Sequence, residues 1–307
     1  MRRSLPLLFL CAGLAGCANV NQTLDKGTGA LGELLLPLAE EVQLGHQLAA
    51  DVNKQEKVLD DPEVQAYVNQ VGQRIAKASK DKRKGIKYTF TVIDQPQVIN
   101  AFALPGGHIY VYSGLIIASR NEAELAAVLG HEVGHVTSRH AAQSLGTAYG
   151  LEALSAVALG EQPGAVAQIA AGIAAQGYMS RHSRDAEREA DTKGLQYLMA
   201  AGYDPKAMPR FFEELARHSG GSNAIADFFA SHPNPGERSK VLSRSIQQKG
   251  NPSGATALVG DFERIKARLQ GKAAPASSSA GSSSKPASSG GTSAPSPAPA
   301  PAPAPSR

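Results

Sequence analysis

Apolar residues recur along this chain in two rhythms, and each rhythm marks an element. From Leu31 to about Asn53 the stripe Leu34, Leu38, Val42 and Leu48 predicts a helix, with Pro37 as an interior blemish marking a first-turn position or a kink. Asp61-Pro62 opens a second helix, proline at its first position, with Val64, Val68, Val71 and Ile75 on one face. Lys87 to Asp94 alternates polar and apolar and predicts a strand. In Val98 to Leu115, strand-like residues flank Pro105-Gly106-Gly107, which predicts a hairpin or strand pair. The next helix begins at Asn121, with Leu125, Val128, Leu129 and Val136 at helical spacing and Asn121 with Glu124 as a capping box.

Residues 145–176 are rich in Ala, Gly, Leu, Val and Ile, interrupted by Glu152, Glu161 and Gln162-Pro163-Gly164. Neither half reaches the roughly 20 residues of a membrane span, so two buried or membrane-touching helices are expected. A second strong helix covers Ser180 to Met199 and ends at Gly202, and Asp204-Pro205 caps the next. Phe228 to Arg238 is a turn-rich loop leading into a helix from about Pro235 to Gln248, and a last short helix covers roughly Leu258 to Leu269. No internal repeat is present.

The two ends stand apart. Met1-Arg2-Arg3 followed by apolar Ser4 to Leu14 has the pattern of a signal segment, too short to span a bilayer as a folded helix. Leu14-Ala15-Gly16-Cys17 resembles the lipobox of bacterial lipoproteins, so residues 1–16 are expected to be cleaved and Cys17 to carry lipid. Cys11 lies in the segment removed, so the mature chain has no internal disulfide to form. Ala18 is not the aspartate that retains enterobacterial lipoproteins in the inner membrane, so the resemblance points to the outer membrane, periplasmic face. Residues 17–30 are expected to form a tether, 31–250 the main domain and 251–272 a C-terminal helix. Residues 273–307 are Ala, Ser, Gly and Pro with almost nothing to bury, and are expected to be disordered or polyproline-like. The formal charge of +4 includes Arg2 and Arg3, leaving the mature chain near +2. With no Trp and 5% aromatic residues, this is not a nucleic-acid-binding composition, and Lys80 to Lys84 reads as a solvated turn.

The helix from Asn121 carries His131-Glu132-Val-Gly-His135. Two imidazoles four residues apart project from one helical face and can close on one Zn²⁺ at about 2.0–2.1 Å each. Glu132 lies beside them, where it can take a proton from the attacking water. A metzincin would continue the motif with a glycine at position 138 and a histidine, its third ligand, at 141, but Ser138 and Ala141 stand there. The other solution is a carboxylate on a separate helix with a second acid one turn on, and Glu187 with Asp191 supplies that pair. His182 is the rival ligand, while Asp185 and Glu189 point elsewhere on the helical wheel. His46 reads as a surface or satisfied histidine, and His108 as facing solvent or substrate.

Together, His131-Glu-Val-Gly-His135, Ser183-Arg-Asp-Ala-Glu187-Arg-Glu-Ala-Asp191, Pro105-Gly106-Gly107 and Ser231-His232-Pro233 closely resemble the HtpX/BepA-type zinc metallopeptidase family, over about residues 35–250. The resemblance implies a mainly helical α+β, gluzincin-like domain with a small sheet beside the active-site helix, and one zinc held by His131, His135 and Glu187. It also implies that His232 can occupy a fourth metal position as a latch, with Arg238 nearby, and that Pro105, Gly106 and Gly107 border the substrate. A strand just before the zinc helix can accept an extended peptide as an added strand. Transmembrane helices of HtpX-type members and the C-terminal helical repeats of BepA have no counterpart here, so the form is closest to short lipoprotein members of the LoiP kind. Expected partners are polypeptides, unassembled outer-membrane proteins among them, and the membrane through the lipid anchor. Two other readings keep the motifs: a zinc-containing chaperone or assembly scaffold with feeble turnover, and a wall-binding lipoprotein whose metal is structural.

Overall fold

The computed structural model describes residues 36–81, 83, 85–145, 148, 164–176, 182–218, 226–233, 235–250 and 260–271. The expected signal segment, Cys17, the tether, most of residues 145–163 and the Ala/Ser/Gly/Pro tail lie outside them. Helix α1 (Leu38–Gln55) starts directly after Pro37, whose carbonyl accepts the Glu41 N–H. The proline therefore stands ahead of the described helix instead of blemishing its interior, where its missing N–H would matter. Helix α2 (Pro62–Ser79) starts as its sequence predicts: the Asp61 carboxylate accepts the N–H groups of Glu63 and Val64. Its stripe of Val64, Val68, Val71 and Ile75 is fully buried.

Three short strands follow: β1 (Thr89–Ile93), β2 (Ala101–Ala103) and β3 (His108–Tyr112). They pair in the order β1-β3-β2, β1 parallel to β3 and β2 antiparallel to it. The hairpin is β2–β3, closed by a 3-10 turn at Pro105–Gly107 where Gly106 (φ 77°) and Gly107 (φ 97°) adopt left-handed backbone. Two expectations change here. Strand β3, the one nearest the zinc helix in sequence, has partners on both sides and offers no open edge. The turn is buried against α1, so closely that a Cβ on Gly45 would fall 2.0 Å from the Pro105 carbonyl oxygen. Pro105, Gly106 and Gly107 thus seat α1 on the sheet and do not form an open substrate edge. The outermost strand on that side is β2. Its ladder bonds run through the Asn100 carbonyl and the Leu104 N–H, so alternation turns the main-chain groups of Ala101 and Ala103 away from β3, where the Ala101 N–H donates to the Asn100 side chain at 2.9 Å.

After α3 (Ser113–Ala118) comes α4 (Glu122–Thr137), the axis of the fold. Every residue from Glu122 to Val136 is buried, as expected of a helix with packing partners all round. The Asn121 side chain caps it by accepting the Glu124 N–H. Glu124 does not reach back to Asn121 as in a capping box; its carboxylate instead takes the backbone N–H and Nε of Arg120. The remaining helices are α5 (Ala165–Gln176), α6 (Arg184–Ala200), α7 (Ala207–His218), α8 (Ala226–Ser231), α9 (Pro235–Gln248) and α10 (Phe262–Leu269). Phe262 and Ile265 enter the same core as α2 and α4, and Arg268 pairs with Asp61. The last helix is therefore packed into the main domain, not appended to it. A smaller core joins α1, the other sheet face, Ala142, Leu145 and α5. Among the described residues no helix is long and apolar enough to cross a membrane.

Asp81 and Arg83 also depart from expectation. The Asp81 carboxylate pairs with Arg83 at 2.7 Å, and the Arg83 guanidinium donates at 2.9 Å to the carbonyl of Val136 at the end of α4. Arg83 is thus a brace for the zinc helix, which the charge pattern alone does not reveal.

Candidate metal centre

Helices α4 and α6 approach until their backbones touch. A Cβ on Gly134 would lie 2.7 Å from the Ala190 carbonyl oxygen, and one on Gly194 would lie 2.9 Å from Gly130 C and His131 N. This contact sets His131 and His135 of α4 face to face with Glu187 of α6. His232, just beyond α8, completes the group, its N–H donating to the Phe228 carbonyl at 2.7 Å. One ligand atom from each of these four buried residues lies within 4.8 Å of the others.

The separations suit a single ion. Four donors about 2.0–2.1 Å from one zinc at tetrahedral angles stand roughly 3.4 Å apart. Here His131 Nε2 is 3.0 Å from His135 Nε2 and 3.3 Å from His232 Nδ1. Glu187 Oε1 is 3.3 Å from His135 Nε2 and 3.2 Å from His232 Nδ1. His131 Nδ1 lies 3.0 Å from Asp191 Oδ1, so its proton belongs there and Nε2 is left bare toward the group. Among the described residues Glu187 Oε2, Glu132 Oε1 and His232 Nε2, all buried, have no hydrogen-bond partner. Buried polar atoms left so are costly, and a cation among these donors accounts for the arrangement. The donor set, two or three imidazoles and a carboxylate, is one zinc accepts.

Arg238 of α9 backs the cluster. Its guanidinium grips Asp191 through two bonds, Nε to Oδ2 at 2.8 Å and Nη2 to Oδ1 at 2.7 Å. Nη1 stands 2.5 Å from Glu187 Oε2, out of line for a hydrogen bond but close as an ion pair, and the guanidinium lies 4.4 Å over the Phe212 ring. Burial alone would raise the Glu187 carboxyl, but the facing His232 and His131 hold it well below the usual carboxylate range. Asp191 is held low as well, its burial outweighed by Arg238. Glu132 goes the other way: full burial pushes its carboxyl up, and His232 and His131 offset only part of that. The two acids are thereby driven apart, one fixed as an anion and one poised to exchange a proton.

Residues 62–246 match the model of peptidase family M48. The chain belongs to that family. The beta-barrel assembly-enhancing protease of Escherichia coli (strain K12) is 33% identical to it over 258 residues, 80% of this chain and 51% of the relative. The protein of the same name from Yersinia pestis matches to the same extent. The mitochondrial metalloendopeptidase OMA1 of Arabidopsis thaliana is 34% identical over 193 residues, 63% of this chain and 38% of the relative. This M48 chain thus spans about half the length, or less, of these curated relatives. M48 metallopeptidases are zinc-dependent, in keeping with the donor set above.

In this M48 chain His131, Glu132, His135, Glu187, Asp191, His232 and Arg238 gather at one place. Pro105, Gly106 and Gly107 do not join them, and Cys17 lies outside the described residues. His182, the rival ligand, stacks its ring on His135 at 3.9 Å and stays outside the four-donor group. His46 and His108 face each other on α1 and β3, His46 Nδ1 3.2 Å from His108 Nε2. Sequence reasoning missed two things: the Gly130, Gly134 and Gly194 contact, and His140, whose buried Nδ1 lies 2.8 Å from His135 Nδ1.

Proposed function

We propose that this chain is a zinc-dependent endopeptidase of the bacterial envelope, with His131, His135 and Glu187 as metal ligands and Glu132 as general base. The observation that carries the reading is the convergence of four donor atoms beside a buried, unpartnered Glu132 oxygen. Zinc, when bound, supplies Lewis-acid polarisation of the scissile carbonyl and acidifies the attacking water. Glu132, its carboxyl raised by burial, takes the proton from that water and returns it to the leaving amine. Asp191 keeps His131 in the tautomer whose Nε2 is bare, and Arg238 holds Asp191 and Glu187 in place. An extended substrate would add to the outer edge of β2 at Ala103, whose main-chain groups turn outward, the Ala101 N–H being held by the Asn100 side chain.

His232 fits the role of a latch. Its Nδ1 stands among the metal donors while its Nε2 lies 3.6 Å from Glu132 Oε1, so the ring fills the space between base and metal site. Withdrawal of His232 would open that space to substrate.

Envelope polypeptides, unassembled outer-membrane proteins among them, are the proposed substrates, in line with relatives named as beta-barrel assembly-enhancing proteases. The lipobox-like residues ending at Cys17 support anchoring to the outer membrane; Cys17→Ser should leave the precursor uncleaved or the product without lipid, and wild type should fractionate with the outer membrane. Recovery of wild type as a free periplasmic protein would contradict the anchor. The activity is tested on unfolded casein with the soluble form beginning at Ala18. Cleavage should stop with 1,10-phenanthroline and return on adding zinc. Cleavage that ignores the chelator would contradict the zinc mechanism, and no cleavage under any metal condition would favour the chaperone reading.

A further inference from the structure

The two histidines of the zinc motif are held from behind in different ways. His131 passes its second nitrogen directly to a buried carboxylate, Asp191. His135 does not: its Nδ1 lies 2.8 Å from another imidazole nitrogen, Nδ1 of His140, and both rings are buried. We propose that His140 is the positioning residue of His135, forming with Glu189 and Lys193 a second support that fixes the tautomer of this ligand. The proposal rests on the zinc reading above and goes beyond it, since neither the motif nor the family match assigns a role to residue 140.

The tautomers follow from the geometry. His135 Nε2 faces the donor group, so it must be bare to bind metal, and the ring proton then sits on Nδ1. That N–H can only donate to His140 Nδ1, which must itself be bare. The proton of His140 is therefore on Nε2, which faces Glu189 Oε2 at 3.5 Å as a charge contact and not as a hydrogen bond. Glu189 is in turn held by Lys193 at 2.8 Å, and Lys193 donates to the Ser138 hydroxyl at 2.9 Å, returning the chain of contacts to the end of α4. The backbone makes this possible. Helix α4 ends at Thr137, and Arg139 adopts left-handed backbone (φ 55°), held by Glu41 at 2.7 Å. The turn brings His140 back under His135, although five residues separate them and a continuous helix would point them apart. His182, stacked on His135 at 3.9 Å, closes another side of the same ring.

The support also differs in exposure. Asp191 is buried, whereas the Glu189 side chain is 47% exposed, so the His135 support ends at the surface. Glu189, expected from the helical wheel to be irrelevant to the metal, lies at its outer end.

The test measures zinc affinity, by competition with a chromophoric chelator, for full-length wild type, His140→Leu and His140→Asn, with the thermal midpoint of each metal-free protein. An asparagine amide oxygen can stand where Nδ1 of His140 stands, so His140→Asn retains an acceptor for His135; leucine does not. Loss of such a support typically costs about 10–100-fold in metal affinity. The expected result is that loss for His140→Leu and recovery to within a few-fold of wild type for His140→Asn, with similar metal-free midpoints for the two variants. Normal zinc affinity in His140→Leu would overturn the inference. So would an equal loss in both variants, which would make His140 a packing residue only. His135→Ala separates the levels: if it loses zinc while His140→Leu does not, only the inference falls, and if it keeps zinc, the ligand assignment itself is wrong.

Discussion

At the scale of the residue, His232 makes the sharpest distinction. An imidazole that occupies a metal position and faces the general base at 3.6 Å leaves no room there for substrate. His232→Ala should therefore bind zinc somewhat more weakly yet cleave casein faster than wild type, measured by a paired zinc titration and initial-rate assay. Normal zinc binding with slower cleavage would instead make His232 a transition-state stabiliser. Most of these residues were legible in the sequence because helical geometry is local. Four-residue spacing puts His131 with His135, and Glu187 with Asp191, on shared faces whatever the rest of the chain does. His140 was not legible, because its approach to His135 depends on a left-handed residue at Arg139, where nothing in the side chain demands one. Arg83 was read as solvated for a similar reason: its partner, the Val136 carbonyl, is a backbone atom far along the chain.

At the scale of the element, the α4–α6 contact determines whether the ligands meet at all. Glycines 130, 134 and 194 sit where side chains would meet the opposing backbone, which cannot shift as a flexible side chain could. Gly194→Ala would place its Cβ 2.9 Å from Gly130 C and His131 N, so the helices must separate. Overpacking of this kind typically costs about 1–3 kcal/mol. The expected outcome is a lowered thermal midpoint in the metal-free protein together with weakened zinc binding; an unchanged midpoint and affinity would show that the two helices tolerate a wider spacing. The existence of α2, α4 and α6 was readable, as were the starts of α2 and α4 at Asp61 and Asn121, each of which accepts an N–H of its helix's first turn; Ser183, which caps α6, was read as lying inside that helix. The order of the strands was not readable. Pairing β1 with β3 across the hairpin is a long-range choice, and it makes β2, not the strand before α4, an outer strand of the sheet.

At the scale of the whole molecule, one core runs from α2 through α4 to α10, with a smaller one under α1. The interlock explains why the site is so rigidly enclosed: the zinc helix is packed on every side and has no solvent face to spare. The buried pair Tyr67 and Tyr203 both donate to the Glu122 carboxylate, at 2.5 and 2.8 Å, pinning the start of that helix as Arg83 pins its end. An account in which this fold holds zinc for hydrolysis stands or falls on Glu132, which neither anchors the helix nor stands among the four donors. The most direct measurement compares zinc content and casein hydrolysis in wild type and Glu132→Gln. The account predicts stoichiometric zinc in both proteins and a rate at least about a hundredfold lower in the variant, the scale of a lost general base. Wild-type-like turnover by Glu132→Gln would contradict it.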